Sequence, residues 1–281
     1  MGYKVGIVGG GFVGGAMHAN FKDVFDVHVW DIDEEKRTLN SFESFVDWSD
    51  IIFVCVPTPM KDNGDCDTSI VEDVIARIAN LDKRKLVVIK STVPPGTTKS
   101  LAERFDMIIA FNPEFLTEAN AHSDFRNQPL IVIGADDAGI ATVVTQLYYE
   151  FNTKVDNVAH VIQRTTKEAE LFKYLANSFL ATKVIFANEF KILCDKIDVD
   201  YGRIAEVAVL DKRLGPTHWR APGPDGKLGF GGSCFPKDTA ALLSFADQIG
   251  TSLWLLTEAT YINDDLRNSA LYSKFQVIEN K

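Results

Sequence analysis

The chain contains no run of about 18 apolar residues, so no membrane-spanning helix is expected. It carries no surplus of basic charge. Against 39 Asp and Glu stand 29 Lys and Arg, a formal net charge of -10, which argues against nucleic acid or an anionic membrane surface as the main partner. Cysteine is scarce, and Cys55, Cys66, Cys194 and Cys234 show neither zinc-ligand spacing nor a disulfide framework. The five histidines are scattered, none at metal spacing and none placed as a catalytic base, so no metal is expected. The acidic stretch Asp62-Asn63-Gly64-Asp65-Cys66-Asp67 lacks the ligand order and closing glutamate of a calcium loop. It reads as a plain loop with Asp67 or Thr68 capping the helix that follows. There are no repeats or low-complexity segments, and the first residues enter a folded pattern without a charged leader and cleavage site. A reduced, cytoplasmic protein is the expectation. What remains is ample: 281 residues at 46% hydrophobic content suffice for two domains with a substantial core.

Tyr3-Lys4-Val5-Gly6-Ile7-Val8 reads as a short apolar strand, followed at once by Gly9-Gly10-Gly11-Phe12-Val13-Gly14 and a helical run over 15–21. A second strand, Val27-His28-Val29-Trp30, ends in Asp31. This is the dinucleotide fingerprint in its full setting of strand, G-x-G-x-x-G, helix, strand and acid. Gly9 makes the tight turn, Gly11 admits the pyrophosphate, and Gly14 allows close helix–strand packing, with the pyrophosphate resting on the helix N-terminus beside Phe12 and Val13. Asp31 lies 20 residues after Gly11. Its charge suits a ribose hydroxyl and repels a 2′-phosphate, so NAD is expected rather than NADP.

Apolar strands and helices continue to alternate. Residues 51–56, 86–90, 107–111 and 130–134 read as strands, with a final one near Val155. Polar clusters follow several of them: Pro57-Thr58-Pro59, Ser91-Thr92-Val93-Pro94 and Asn112-Pro113-Glu114-Phe115-Leu116-Thr117-Glu118. The pattern implies an α/β fold, a Rossmann-like doubly wound parallel sheet over residues 1–164. Beyond Thr165 an all-helical domain over 165–281 is expected, built on one long central helix at 168–197 with apolar positions Leu171, Phe172, Leu175, Phe179, Phe186, Phe190 and Leu193. Thirty residues extend about 45 Å, a length suited to a domain spine or a dimer interface. Lys173 and Asn177 share a face of it. A last helix reads over 252–267.

The stretch Leu228-Gly229-Phe230-Gly231-Gly232-Ser233-Cys234-Phe235-Pro236-Lys237-Asp238 carries the clearest chemical signal. Pro236 marks the first turn of a helix over 237–249, closed by Gly250. Cys234 therefore stands at a helix N-terminus, where unpaired N–H groups and the dipole favour a thiolate. Lys237 adds positive charge nearby, and Asp238, one turn on, is placed to take up a proton.

These motifs, together with Arg213-Leu214-Gly215, occur in the order found in the UDP-glucose/GDP-mannose dehydrogenase family, and the chain resembles that family over nearly all its length. The resemblance implies a four-electron oxidation of a nucleotide-sugar primary alcohol to a uronate, with UDP-glucose the default substrate, by way of a thiohemiacetal and a thioester on Cys234. It implies that Lys173 and Asn177 stabilise the oxyanion, that Asp238 assists the lysine and water, and that Glu118 and Thr92 hold a water for proton transfer. Glu114, Phe115, Leu116 and Thr117 resemble a sugar-contacting loop, Phe230, Gly231 and Lys237 part of the substrate site, and Arg213 an arginine reaching a neighbouring subunit. Asp31, Lys36 and Thr58, with Thr92 and Glu118, resemble NAD contacts. A homodimer through the long helix is implied.

Two features depart from the family pattern. Family members continue into a C-terminal nucleotide-binding domain, whereas this chain stops at Lys281, so contacts to the base and part of the cofactor clamp are expected to be missing or supplied otherwise. The segment between Gly215 and Gly229 is longer than usual, and Arg220 and Lys227 in it are expected to replace some of those contacts. A two-electron 3-hydroxyacid or 6-phosphogluconate type of dehydrogenase, which needs no cysteine, stays open, as does a catalytically silent NAD-binding protein.

Overall fold

Val5, Ile7 and Val8 leave β1 (Lys4–Val8) apolar on both faces, so helices must cover the sheet on each side. The computed structural model describes residues 2–117 and 119–268. After β1 come α1 (Phe12–Phe21), β2 (Asp26–Trp30), α2 (Phe42–Trp48), β3 (Ile51–Val54), α3 (Ser69–Leu81), β4 (Leu86–Ile89) and α4 (Thr97–Phe105). Then follow β5 (Ile108–Phe111), α5 (Ala121–Arg126), β6 (Leu130–Gly134), α6 (Ala138–Val155), β7 (His160–Arg164) and α7 (Thr166–Lys196), with α8 (Tyr201–Leu210), α9 (Phe235–Gln248) and α10 (Trp254–Arg267) closing the described chain.

The strands form one sheet in the order β2-β1-β3-β4-β5-β6-β7, so the chain winds outward in both directions from β1. Every strand neighbour is parallel except β5 and β6, which meet antiparallel at Phe111 and Gly134. The sheet is the expected doubly wound, parallel one apart from this single pair. The six-residue α5, roughly 9 Å long, is too short to carry the chain back along the sheet, and β6 runs in reverse instead. The last strand is also displaced: Val155 closes α6, where it packs on the cluster around Phe151, and β7 begins five residues later at His160. An apolar residue on a helix face had passed for a strand. Helix α1 starts at Phe12 rather than Gly15, directly at the glycine turn, β3 stops at Val54 rather than Val56, and α10 starts at Trp254 rather than residue 252.

Successive strand residues point to opposite faces and fill two cores. Val8, Ile52, Val54, Val87, Ile89, Ile109 and Phe111 join α2, α3 and α4, while Val5, Ile7, Ile51, Phe53, Val88 and Ala110 join α1, α5 and α6. Phe21 centres the second core, its ring 5.0 to 6.0 Å from those of Phe25, Phe53, Phe125, Tyr148 and Phe151. Burying such rings contributes more than area alone, because edge-to-face pairs add about 0.5–1.5 kcal/mol each.

Two compact units emerge, one of Met1–Pro59 with Cys66–Lys173, the other of Met60–Asp65 with the chain from Tyr174 onward. The second is helical. Asp65 accepts from Gln248 Nε2 at 2.9 Å and from the Ser244 hydroxyl on α9, while Asp67 accepts from Ser69 N at 3.0 Å and so caps α3. Along α7 the apolar stripe at Leu175, Phe179, Phe186, Phe190 and Leu193 is exposed, Phe179 by 64%. The buried face mixes large and small residues, among them Tyr174, Ile185, Ala181, Ala187 and Asn188.

Candidate active site

In the first unit the glycine turn is fixed by what surrounds it. Gly9 has φ 94°, and a Cβ there would stand 2.6 Å from the Cys55 carbonyl oxygen. A Cβ on Gly14 would fall 1.8 Å from the Gly9 carbonyl oxygen, so only glycine lets α1 start so close to β1. Gly11, the N-cap of α1, has nothing within 4 Å of its ideal Cβ. It leaves an open backbone face at a helix N-terminus, the arrangement that takes a pyrophosphate. Asp31 stands beside this turn: its carboxylate accepts from Gly10 N at 2.5 Å and Asp33 N at 2.8 Å. Lys36 runs past Gly10 and pairs with Asp33 at 3.5 Å. Phe12 is exposed at the mouth of the turn with Val13 following it, and Thr58 is buried just past the end of β3. An open cradle with an acid at its rim fits NAD.

At the ends of β4 and β5 lies a second set. Lys173 on α7 is buried and donates to Glu114 O at 2.6 Å and Glu114 Oε1 at 2.8 Å. The other Glu114 oxygen accepts from Leu116 N at 2.7 Å. Burial pushes the Glu114 carboxyl up, but Lys173 and the Leu116 amide together outweigh it and hold the group below its ordinary value. Phe115 lies 5.4 Å under the Lys173 ammonium and packs edge-on against Phe172. Thr117 is pulled aside, its amide and hydroxyl both donating to Asp124. Thr92 is half-buried, its carbonyl accepting from the Cys66 thiol at 3.6 Å. Glu118 lies outside the described residues.

Two residues that the sequence did not single out hold this region. Glu170 is buried and accepts from Gly96 N at 2.5 Å and Thr98 N at 2.7 Å, capping α4 and fixing the turn that follows Thr92. Lys90 is buried under β4's end, donating to Asn112 Oδ1 at 2.8 Å and Asn112 O at 3.3 Å, while Tyr148 also donates to Asn112 Oδ1 at 2.5 Å. Burial pulls the Lys90 ammonium down to about 8, against the raising influence of Cys55 and Glu114. Burial likewise pushes the Cys55 thiol up to about 12. A lysine closing an otherwise apolar strand was the available signal.

In the second unit Cys234 is the N-cap of α9, half-buried, with Pro236 in the first turn. The Asp238 amide donates to the Cys234 carbonyl at 2.9 Å, which places the two residues one turn apart. Asp238 is fully buried, and both of its oxygens are engaged: Oδ1 accepts from Lys237 Nζ at 2.5 Å and Oδ2 from Asn177 Nδ2 at 2.5 Å. Lys237 is thus ion-paired with Asp238 rather than standing open beside the thiol. Lys173 and Asn177 sit four residues apart on α7, as the spacing predicts, yet each has a carboxylate of its own, Glu114 and Asp238. Phe230 is buried against Ala181, Ile185 and Ala259, and Gly231 lies under the Arg267 guanidinium. Arg213 is exposed and folds back on Asp211 at 2.6 Å. In the long 215–229 segment Arg220 and Lys227 are exposed, and Asp225 pairs with Arg267 at 2.6 Å. Among the described residues no helix is long and apolar enough to cross a membrane.

Comparison with known proteins gives concordant matches. Residues 37–152 match the NAD-binding domain of the UDP-glucose/GDP-mannose dehydrogenase family, and residues 167–265 match its central domain. UDP-glucose 6-dehydrogenase TuaD of Bacillus subtilis is 35% identical over 245 residues, 84% of this chain and 51% of the relative. UDP-glucose 6-dehydrogenase of Rickettsia bellii is 41% identical over 202 residues, 70% of this chain and 45% of the relative. The chain spans about half the length of the curated relatives it matches. Among solved structures, a UDP-glucose dehydrogenase from Pyrobaculum islandicum superposes with a TM-score of 0.83 at 31% identity, covering 94% of this chain and 68% of that one.

Proposed function

This chain belongs to the UDP-glucose/GDP-mannose dehydrogenase family, and from that premise we propose that it oxidises the primary alcohol of a nucleotide sugar to a carboxylate, UDP-glucose being the default substrate. Residues 1–164 bind NAD in this reading, and residues 165–281 supply the thiol and the dimer contact. The observation that carries it is the start of α9: a thiol at the N-cap, and one turn on a buried carboxylate bridged by Lys237 and Asn177. That is a poor design for a plain helix end, because burying Asp238 is costly unless its partners are held in place.

NAD held on the Gly9–Gly14 turn beside Asp31 would supply the hydride acceptor for each of two oxidations. The first oxidation leaves an aldehyde, and in this reading the alcohol proton passes to a water at Thr92, a role the resemblance shares with Glu118. Cys234 then adds to the aldehyde carbon, forming a C–S bond and a thiohemiacetal, which is again a hydride donor. Loss of the second hydride leaves a thioester. Water hydrolyses its C–S bond, releasing the carboxylate and returning the thiol. Lys173 directs two of its three N–H groups at Glu114, which leaves the third for the developing oxyanion, and Asn177 has a second amide hydrogen for the same purpose. Asp238, tied to both Asn177 and Lys237, fixes the amide and takes up the proton that hydrolysis releases. In this reading the loop over Glu114 to Thr117 serves the sugar, and Arg213 serves a neighbouring subunit. Reduced cysteine chemistry of this kind suits a cytoplasmic setting.

The exposed stripe of α7 supports a homodimer through that helix, since Leu175, Phe179, Phe186, Phe190 and Leu193 otherwise present a continuous apolar face to water. The test of the enzymatic reading is NADH formation from a panel of UDP-glucose, GDP-mannose and UDP-N-acetylhexosamines by wild type and Cys234→Ser. Turnover of one of them by wild type, with the serine variant unable to complete it, sustains the reading. Wild type inert toward all of them sinks it.

A further inference from the structure

The loop that delivers Cys234 is held from outside by three side chains to which the family resemblance assigned no role. Asn188 on α7 is completely buried, and its Oδ1 accepts from Gly229 N at 3.1 Å while its Nδ2 donates to Val184 O at 2.7 Å. Asn263 on α10 is buried, and its Oδ1 accepts from Phe230 N at 2.6 Å. Arg267, one turn further along α10, donates to Asp225 Oδ2 at 2.6 Å. The loop is shaped to receive them. Gly229 has φ 77°, and a Cβ there would stand 2.6 Å from Asn263 Oδ1. A Cβ on Gly231 would stand 1.7 Å from Arg267 Nη2 and 2.7 Å from its Cζ, so the guanidinium takes up the space that a side chain there would need. Between the two glycines Phe230 anchors into the Ala181, Ile185 and Ala259 cluster, and its ring meets Phe235 of α9 at 6.2 Å. Two successive amides are thus held by buried amide oxygens, a third residue is clamped by a cation, and only Gly232 and Ser233 separate the clamp from the cysteine.

We propose that Asn188, Asn263 and Arg267 are positioning residues for the nucleophile: they fix residues 229–231 so that Cys234 is presented at the N-terminus of α9. The inference rests on the reading of Cys234 as the reacting thiol. Its physical basis is that a thiol gains reactivity from the helix end only while it stays there. Losing an amide oxygen also strands a buried N–H, which drives the loop out of this conformation.

The test compares Asn263→Leu, which has no acceptor, with Asn263→Asp, which keeps an oxygen for Phe230 N. The first readout is alkylation of Cys234 by iodoacetamide at neutral pH, followed peptide by peptide, with the buried Cys66 and Cys194 as internal references. Cys234 labelling falls about fivefold in the leucine variant and stays within about twofold in the aspartate variant, the helix-end contribution being of that size. The second readout is kinetic: kcat falls about tenfold in the leucine variant with NAD affinity unchanged. Arg267→Gln, which removes a partly exposed clamp and leaves the buried amides in place, shows the same pattern at smaller size and serves if Asn263→Leu does not fold. Unchanged Cys234 labelling in both Asn263→Leu and Arg267→Gln overturns the proposal. So does a loss of labelling that Asn263→Asp fails to restore. Alkylation needs no turnover, so failure of the enzymatic reading leaves this contrast measurable and is seen separately, as wild type that labels normally and makes no NADH.

Discussion

Replacing Lys173 by Met should cost stability as well as activity. Lys173 and Glu114 are both buried and sit 2.8 Å apart. Removing one partner of such a pair leaves the other charge stranded, at a cost of roughly 3–5 kcal/mol. A domain is stable by only about 5–15 kcal/mol, so the loss is a large fraction. At about 2–4 °C per kcal/mol it lowers the melting temperature by roughly 6–20 °C. The pH dependence has a definite sign. In wild type Glu114 lies below its ordinary value, so its contribution is present above about pH 4.3 and is lost as pH falls through its folded-state value. With Lys173 gone, burial is opposed only by the Leu116 amide and Lys90, the carboxyl rises, and it binds its proton at higher pH in the folded chain. The deficit is therefore largest near pH 7–8 and narrows toward about pH 5. Urea unfolding of wild type, Lys173→Met, Glu114→Gln and the double variant across that range measures it, with the double variant less damaged than the two losses summed. A Lys173→Met variant within about 1 kcal/mol of wild type at pH 7, or a gap that widens on acidification, refutes the reasoning.

Three further outcomes follow from the geometry. Gly14→Ala should unfold or strongly destabilise the first unit, because its Cβ meets the Gly9 carbonyl at 1.8 Å, whereas Gly11→Ala should melt like wild type yet bind NAD at least about tenfold more weakly by calorimetry. An alanine at position 11 that leaves NAD affinity intact refutes the cradle. Lys90, pulled down to about 8 in the folded chain against about 10.4 unfolded, leaves the unfolded state holding more protons between those values, so wild type should gain roughly 2 kcal/mol over Lys90→Met from pH 8 to 10; a flat difference contradicts this. Phe179→Asp should convert a dimer into a monomer by light scattering, and a wild-type monomer rules the α7 contact out.

Local chemistry was what the sequence exposed. The glycine turn, Asp31 and the proline after Cys234 are short-range signals, and each lies where its backbone requirement predicts. Pairings across distance were hidden. Lys173 finds Glu114 59 residues away and Asn177 finds Asp238 61 residues away, and no periodicity reports such partners. Lys173 and Asn177 share a helix face, but their different carboxylates emerge only in three dimensions. Burial was equally opaque along α7: apolar residues at helical spacing describe a stripe, and only the fold shows that this stripe is exposed while Tyr174, Ile185 and the polar Lys173 and Asn188 are buried. Val155 misled because an apolar residue before a polar turn suits a helix end and a strand alike. Lys90 and Glu170 passed unnoticed because a charge is judged solvent-facing until its surroundings are known.

The most direct test of the whole account is a count. With a limiting amount of whichever nucleotide sugar turns over and NAD in excess, wild type should produce two NADH per sugar consumed and a carboxylate product, while Cys234→Ser should fail to complete the second oxidation. One NADH per sugar with an aldehyde or ketone as the product, or a serine variant that still yields two, would contradict it.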